Sequence, residues 1–167
     1  MRKKTIDLAK CTGCKNCELG CMVAHSPDEN LQQAYKDGGI AAIRSRCRVA
    51  LTEDGQRVPR HCKHCEDPQC LRACMSGALR KDDNGYVVCD TDTCVGCYMC
   101  VMSCPNGAAR PATSGKRRLI KCDGCSARDT MACVAACPTG CLKVEEIDVK
   151  GDVVEYNNQP DMREGRG

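Results

Sequence analysis

The chain has 167 residues, the size of one ordinary domain, yet it holds no Phe or Trp and only four Tyr beside nineteen Cys. So little aromatic surface makes a thin organic core, and metal binding is the alternative source of folding free energy. The odd number of cysteines, their recurring C-x2-C spacing and the lack of a secretory signal before Cys11 argue against an extracellular disulfide framework, and the formal charge of +3 counts every thiol as neutral.

The N-terminus, M-R-K-K-T-I-D-L-A-K, has basic residues but no apolar h-region and no twin arginine. No stretch has the apolar length needed to cross a bilayer. Reduced thiolates in the cytoplasm, with no direct membrane insertion, are the expectation.

Thr5 to Leu8 reads as a short strand. The first cysteine group follows as C-T-G-C-K-N-C-E-L-G-C, giving Cys11, Cys14, Cys17 and Cys21, with Met22 where a proline would complete the motif. Ser26, Pro27 and Glu29 form a capping-box pattern that predicts a helix from Pro27 to about Lys36, ended by Asp37-Gly38-Gly39. Between Arg44 and Arg60, Asp54-Gly55 separates two extended runs and predicts a hairpin. Residues 22–58 thus form an insertion without ligand spacing, suited to covering a site, meeting a subunit or lying as a surface flap.

The second group is Cys62, Cys65, Cys70 and Cys74, spaced C-x2-C-x4-C-x3-C, with Pro68 in the enlarged loop. Asn84-Gly85 then predicts a second hairpin. The third group, C-V-G-C-Y-M-C-V-M-S-C-P, supplies Cys94, Cys97, Cys100 and Cys104. Its C-x2-C-x2-C-x3-C-P spacing is that of a bacterial [4Fe-4S] ferredoxin loop, in which three thiolates grip one cubane and the fourth serves another. Cys122, Cys125, Cys133 and Cys137 form the fourth group as C-x2-C-x7-C-x3-C-P. A strand pair, Leu142 to Val149 and Asp152 to Tyr156, is expected before a mobile tail over 157–167.

The sequences C-M-S-G-A-L-R, C-P-N-G-A-A-R and C-P-T-G-C-L-K recur after groups two, three and four. They put glycine at Gly77, Gly107 and Gly140, where the exit turn calls for positive φ. The same alignment equates Cys141 with Ala78 and Ala108, so Cys141 reads as a small packed residue. Cys47 and Cys89 read as apolar strand positions. Sixteen ligands and three non-ligands account for all nineteen cysteines, which implies four [4Fe-4S] clusters. An oxidised cubane with four thiolates carries about −2, so four would bring the total to about −5 and count against nucleic acid as a partner. Lys116, Arg117 and Arg118 then read as a solvated face, with a docking patch as the alternative.

His61 and His64 bracket Cys62, and His25 follows the first group; a hydrogen bond to cluster sulfur or plain solvation suits them better than ligation. Met22, Met75, Met99 and Met102 read as apolar filler beside the sites. Tyr98 reads as packing. Spacing leaves open whether the groups pair as neighbours or nest.

The stretches C-K-N-C-E-L-G-C-M-V-A-H-S-P, H-C-K-H-C-E-D-P-Q-C and K-C-D-G-C with its later A-C-P-T-G resemble the four-cluster iron-sulfur subunits of anaerobic oxidoreductases. The resemblance spans residues 5 to 149 and is nearest to the ferredoxin-like partner of carbon monoxide dehydrogenase. It implies nesting. One cluster would take Cys11, Cys14, Cys17 and Cys137, and its twin Cys122, Cys125, Cys133 and Cys21. The inner pair would take Cys62, Cys65, Cys70 with Cys104, and Cys94, Cys97, Cys100 with Cys74. The implied fold is α+β, two interleaved dicluster ferredoxin modules within a single domain over 1–156. The outer module would join 1–21 to 106–149, and the inner would span 59–105.

No G-x-G-x-x-G or G-x-x-x-x-G-K-[ST] motif is present, and no cysteine has a convincing nucleophile partner. A cubane with four thiolates has no open iron for substrate. The protein therefore reads as an electron-transfer subunit and not an enzyme. Its expected partners are a catalytic subunit (carbon monoxide dehydrogenase first, then tungsten or molybdenum aldehyde or formate oxidoreductase, or hydrogenase) and a second redox protein, and self-association is open. Two rivals remain. One is a zinc-knuckle structural or nucleic-acid-binding protein, which must explain why C-x2-C-x2-C occurs twice. The other is an enzyme with an open cluster site in the group lacking proline.

Overall fold

The computed structural model describes residues 2–42, 44–112 and 117–146. Among these, short helices alternate with four two-stranded antiparallel ribbons. Strand β1 (Arg2–Ile6) pairs with β8 (Leu142–Glu146), with Ile6 opposite Leu142, so the two ends of the described residues lie side by side. Helix α1 (Asn16–Ala24) packs on α5 (Ala132–Ala135). Gly20 allows this approach, because a Cβ there would meet that of Ala136 at 2.6 Å.

A second pair of elements repeats the arrangement. Strands β4 (Leu79–Lys81) and β5 (Val87–Cys89) form a ribbon, and α3 (Gln69–Arg72) packs on α4 (Met99–Met102). The turn Asp82 to Tyr86 carries the predicted Asn84-Gly85, and Gly85 takes φ +81°. The hairpin predicted around Asp54-Gly55 is also present, as β2 (Arg48–Leu51) with β3 (Arg57–Arg60). A further ribbon, β6 (Arg110–Pro111) with β7 (Leu119–Ile120), gave no sequence signal.

Several expectations change. The first strand ends at Ile6, and Leu8–Lys10 form a 3-10 turn. Pro27–Glu29 also form only a 3-10 turn, because Ser26 spends its hydroxyl on the Val23 carbonyl at 2.7 Å instead of capping. Asn30 caps the true helix α2 (Leu31–Ala42), accepting from the amides of Gln32 and Gln33, and the helix continues through Gly38-Gly39. The observed partner of β8 is β1, while Asp152 to Tyr156 and the tail over 157–167 lie outside the described residues.

Much of the interior is sulfur. One buried cluster gathers Cys17, Cys21, Cys47, Tyr86, Cys125, Met131, Cys133 and Leu142, and a second gathers Leu79, Val87, Cys100, Ala109 and Leu119. The thin organic core read from composition is what the protein has. Ala78, Ala108 and Cys141 are all buried at equivalent places, and Gly77, Gly107 and Gly140 have φ of +69°, +57° and +63°.

Candidate iron-sulfur centres

All nineteen cysteines are free thiols. Each C-x2-C turn contains left-handed backbone, at Gly13 and Lys15, His64, Gly96 and Tyr98, and Gly124 and Cys125. That conformation curls amide N–H groups toward the loop's own sulfur. The Gly124 amide donates to Cys122 Sγ at 3.3 Å, and the His64 amide to Cys62 Sγ at 3.4 Å.

The thiols converge in sets drawn from distant groups. One cavity is lined by Cys11, Cys14, Cys17 and Cys137, with Cys141 beside them. Another is lined by Cys74, Cys94, Cys97 and Cys100, with Cys89 beside them. Cys21, Cys125 and Cys133 share one buried cluster, and burial, with the nearby charge of Cys122 among others, pushes the Cys125 thiol up. Cys65 and Cys104 act so on Cys70, again after burial, and Cys62 packs with Cys104 and Cys122.

These four sets run in series. Cys17 of the first packs with Cys21 and Cys133 of the second, Cys122 of the second with Cys62 of the third, and Cys70 of the third with Cys100 of the fourth. The second set is the most enclosed, with Cys21, Cys122, Cys125 and Cys133 all buried. The end sets each present one exposed sulfur, at Cys14 and Cys97.

Two lysines that the sequence reading passed over sit at the middle of the series. Lys4 is 7% and Lys121 6% exposed. Lys4 Nζ donates to Cys122 Sγ at 3.1 Å, and Lys121 Nζ to the carbonyls of Val87 and Cys122. Burial alone would lower the Lys4 pKa, but the Cys122 and Cys133 thiolates outweigh it and hold the ammonium charged. The only sequence hints are that Lys4 falls inside a strand and Lys121 abuts Cys122.

The histidines are not solvated. His61 and His64 are buried, and burial pushes the His61 pKa down to about 3. Burial, with the Lys121 cation, likewise keeps His64 neutral. His64 Nδ1 accepts from the Val87 amide at 3.0 Å, so its proton sits on Nε2, and this buried atom has no hydrogen-bond partner among the described residues. His25 bridges Cys21 and Asp123, with Nδ1 2.7 Å from the Cys21 carbonyl and Nε2 3.2 Å from Asp123 Oδ2. His25, Asp123 and Cys125 could together contact one cation, although Cys125 already belongs to the second sulfur set.

Met75 and Met102 are more than four-fifths exposed and are not filler; Met131, buried in the core, has that role. Arg117 lies over the Tyr98 ring at 5.3 Å, and Arg118 pairs with Asp92 at 3.9 Å, so neither is merely solvated; Lys116 lies outside the described residues.

Thiols in fours, amides aimed at sulfur, two buried ammoniums and an orphaned buried N–H suit an anionic sulfur-rich group such as a [4Fe-4S] cluster. A model of the 4Fe-4S dicluster domain family matches residues 53–147. The protein is 36% identical over 149 residues to a subunit of the anaerobic dimethyl sulfoxide reductase of Escherichia coli (strain K12), covering 86% of this sequence and 72% of that subunit. It is 34% identical over 151 residues to electron transport protein HydN of the same organism, covering 81% and 83%. A polypeptide in the active site complex BamBC of benzoyl coenzyme A reductase is similar at a TM-score of 0.46 and 25% identity, covering 87% of this sequence and 76% of that one.

The fold and the sulfur sets thus define an iron-sulfur, ferredoxin-like protein of electron transport. The chain belongs to the 4Fe-4S dicluster domain family. No helix among the described residues is long and apolar enough to cross a membrane.

Proposed function

We propose that the protein is an electron-transfer subunit holding four [4Fe-4S] clusters in series, built as an outer ferredoxin module interleaved with an inner one. The ligand sets are Cys11, Cys14, Cys17 and Cys137; Cys122, Cys125, Cys133 and Cys21; Cys62, Cys65, Cys70 and Cys104; and Cys94, Cys97, Cys100 and Cys74. Such clusters supply one-electron carriers when bound. The protein's own residues hold them in file, exclude water from the middle, and supply N–H groups and the Lys4 and Lys121 charges that adjust potentials.

One observation carries the reading: sulfur sets in contact from end to end, with an exposed sulfur at each extremity, Cys14 and Cys97. A relay needs a surface terminus at each end and a protected middle. A storage protein or a zinc module needs neither.

One terminus serves a catalytic oxidoreductase subunit and the other a second redox protein, in the reducing cytoplasm that nineteen free thiols favour. The sequence resemblance points to carbon monoxide dehydrogenase as the catalytic partner. The relative named as a dimethyl sulfoxide reductase subunit adds a second candidate to aldehyde and formate oxidoreductases and hydrogenases.

Anaerobically purified protein is expected to be brown, with about sixteen iron atoms per chain and reversible one-electron signals from four clusters. Colourless protein with zinc, or iron for one or two clusters, would refute the proposal. Identification of the large subunit that co-purifies from native extract settles the partner.

A further inference from the structure

Cys47 belongs to none of the four cysteine groups, yet it is not an ordinary packed residue. It lies in the bend before β2, and not in the strand that the sequence suggests, and is 6% exposed. Its amide donates to Ser45 Oγ at 3.2 Å, which fixes the bend, and its Sγ lies 3.4 Å from the same oxygen. The thiol also donates to the Cys17 carbonyl at 3.3 Å. One residue earlier, the Arg46 amide donates to Cys21 Sγ at 3.2 Å. The bend thus delivers an N–H and an S–H to the same buried place.

Around the Cys47 sulfur stand three others, those of Cys17, Cys21 and Cys133, in one buried cluster. Cys17 lines the first set; Cys21 and Cys133 belong to the second. We propose that Cys47 is a shared hydrogen-bond donor between the two outer sites, a positioning residue through which the reduction of one influences the potential of the other. The proposal rests on the four-site reading above.

The chemistry follows from having one proton and several acceptors. A thiol donating to a cysteine ligand stabilises the more negative, reduced state and raises that site's potential. A single S–H cannot face both sites at once. Reduction of either site draws the proton toward its own ligand and leaves the other with weaker support. The proton has acceptors on both sides: the Cys17 carbonyl at 3.3 Å in the first set, and the Cys21 and Cys133 sulfurs, packed in the same buried cluster, in the second. Cys89 and Cys141, by contrast, each adjoin a single set.

The test uses full-length, anaerobically purified Cys47→Ala and Cys47→Ser proteins, with iron counting and a redox titration followed by electron paramagnetic resonance. Cys47→Ala is expected to keep the wild-type iron content while two midpoint potentials, and only two, move negative. Cys47→Ser keeps a donor and is expected to return both toward the wild-type values. Full iron with unmoved potentials, or movement of one potential alone, overturns the inference and leaves the four-cluster reading intact. Loss of about four iron atoms from both variants marks Cys47 as a ligand and also overturns it. Should Cys47→Ala alone lose iron, Cys47→Val, which fills the space without a donor, takes its place: full iron with two potentials moved negative supports the shared donor, and unmoved potentials refute it. Wild-type iron content tests the four-cluster reading separately.

Discussion

Lys4 Nζ lies 3.1 Å from Cys122 Sγ, with Lys4 buried from solvent. This is a residue of strand β1 donating directly to a sulfur of the fourth cysteine group, 118 positions away in sequence. A charge in that position favours whichever state of a bound cluster is more negative.

Lys4→Met keeps the length and apolar stem of the side chain and removes the charge. One unit charge about 6 Å away at an effective dielectric of about 20 is worth roughly 3 kcal/mol, or on the order of 100 mV for one electron. The expected outcome is a fall of that order in one midpoint potential with iron content preserved. A redox titration of the purified variant checks it, and an unmoved potential would show that the charge is compensated.

His64→Ala removes a neutral ring whose Nε2 proton has no partner among the described residues. If that N–H serves a cluster sulfur, its loss costs about 1.5 kcal/mol, a fall of roughly 60 mV in one potential. The iron count should not change. The ring also packs edge-on against Tyr86 at 4.9 Å, so some thermal stability is lost with it. Loss of iron would mean that His64 is a ligand.

Gly96→Ala and Gly77→Ala form a matched pair. Both glycines have positive φ, near +67° and +69°, and alanine there costs about 1–2 kcal/mol. At Gly96 the new Cβ would also sit 2.3 Å from the Arg117 carbonyl oxygen, whereas at Gly77 nothing lies within 4 Å. Gly77→Ala is expected to fold with full iron. Gly96→Ala should lose the cluster held by the Cys97 loop first, which iron counting after mild oxygen exposure would reveal. Equal behaviour of the two variants contradicts the steric account.

Anaerobic removal of iron by a chelator is expected to unfold the protein rather than leave a folded apoprotein. With no Phe or Trp and sulfur through the interior, folding free energy and metal binding are the same quantity. Circular dichroism should collapse in step with the loss of visible absorption. A chelated protein that retained its secondary structure and a cooperative thermal transition would contradict this.

Local features were legible in the sequence because they depend on near neighbours. C-x2-C spacing, the Asn84-Gly85 and Asp54-Gly55 turns and the positive-φ glycines after groups two, three and four need no distant partner. The capping signal at Ser26 misled because the hydroxyl had a nearer acceptor in the Val23 carbonyl, and Asn30 took the cap. For the histidines beside cysteines the sequence offered solvation as well as a hydrogen bond to sulfur, because exposure is not a local property.

By itself the sequence determined the local chemistry: thiols grouped in fours, little aromatic surface for an organic core, and tight turns within and after the cysteine groups. Spacing left open whether the groups nest, and only the resemblance implied that Cys74 would meet Cys94 and Cys137 would meet Cys11, as the cavities have them; tertiary structure alone decided that Lys4 reaches Cys122 and that Cys47 stands among three other thiols. The physical reason is range. Ligand spacing is fixed by a few torsions within one loop, while the meeting of residues more than a hundred positions apart depends on β1 pairing with β8 and α1 packing on α5.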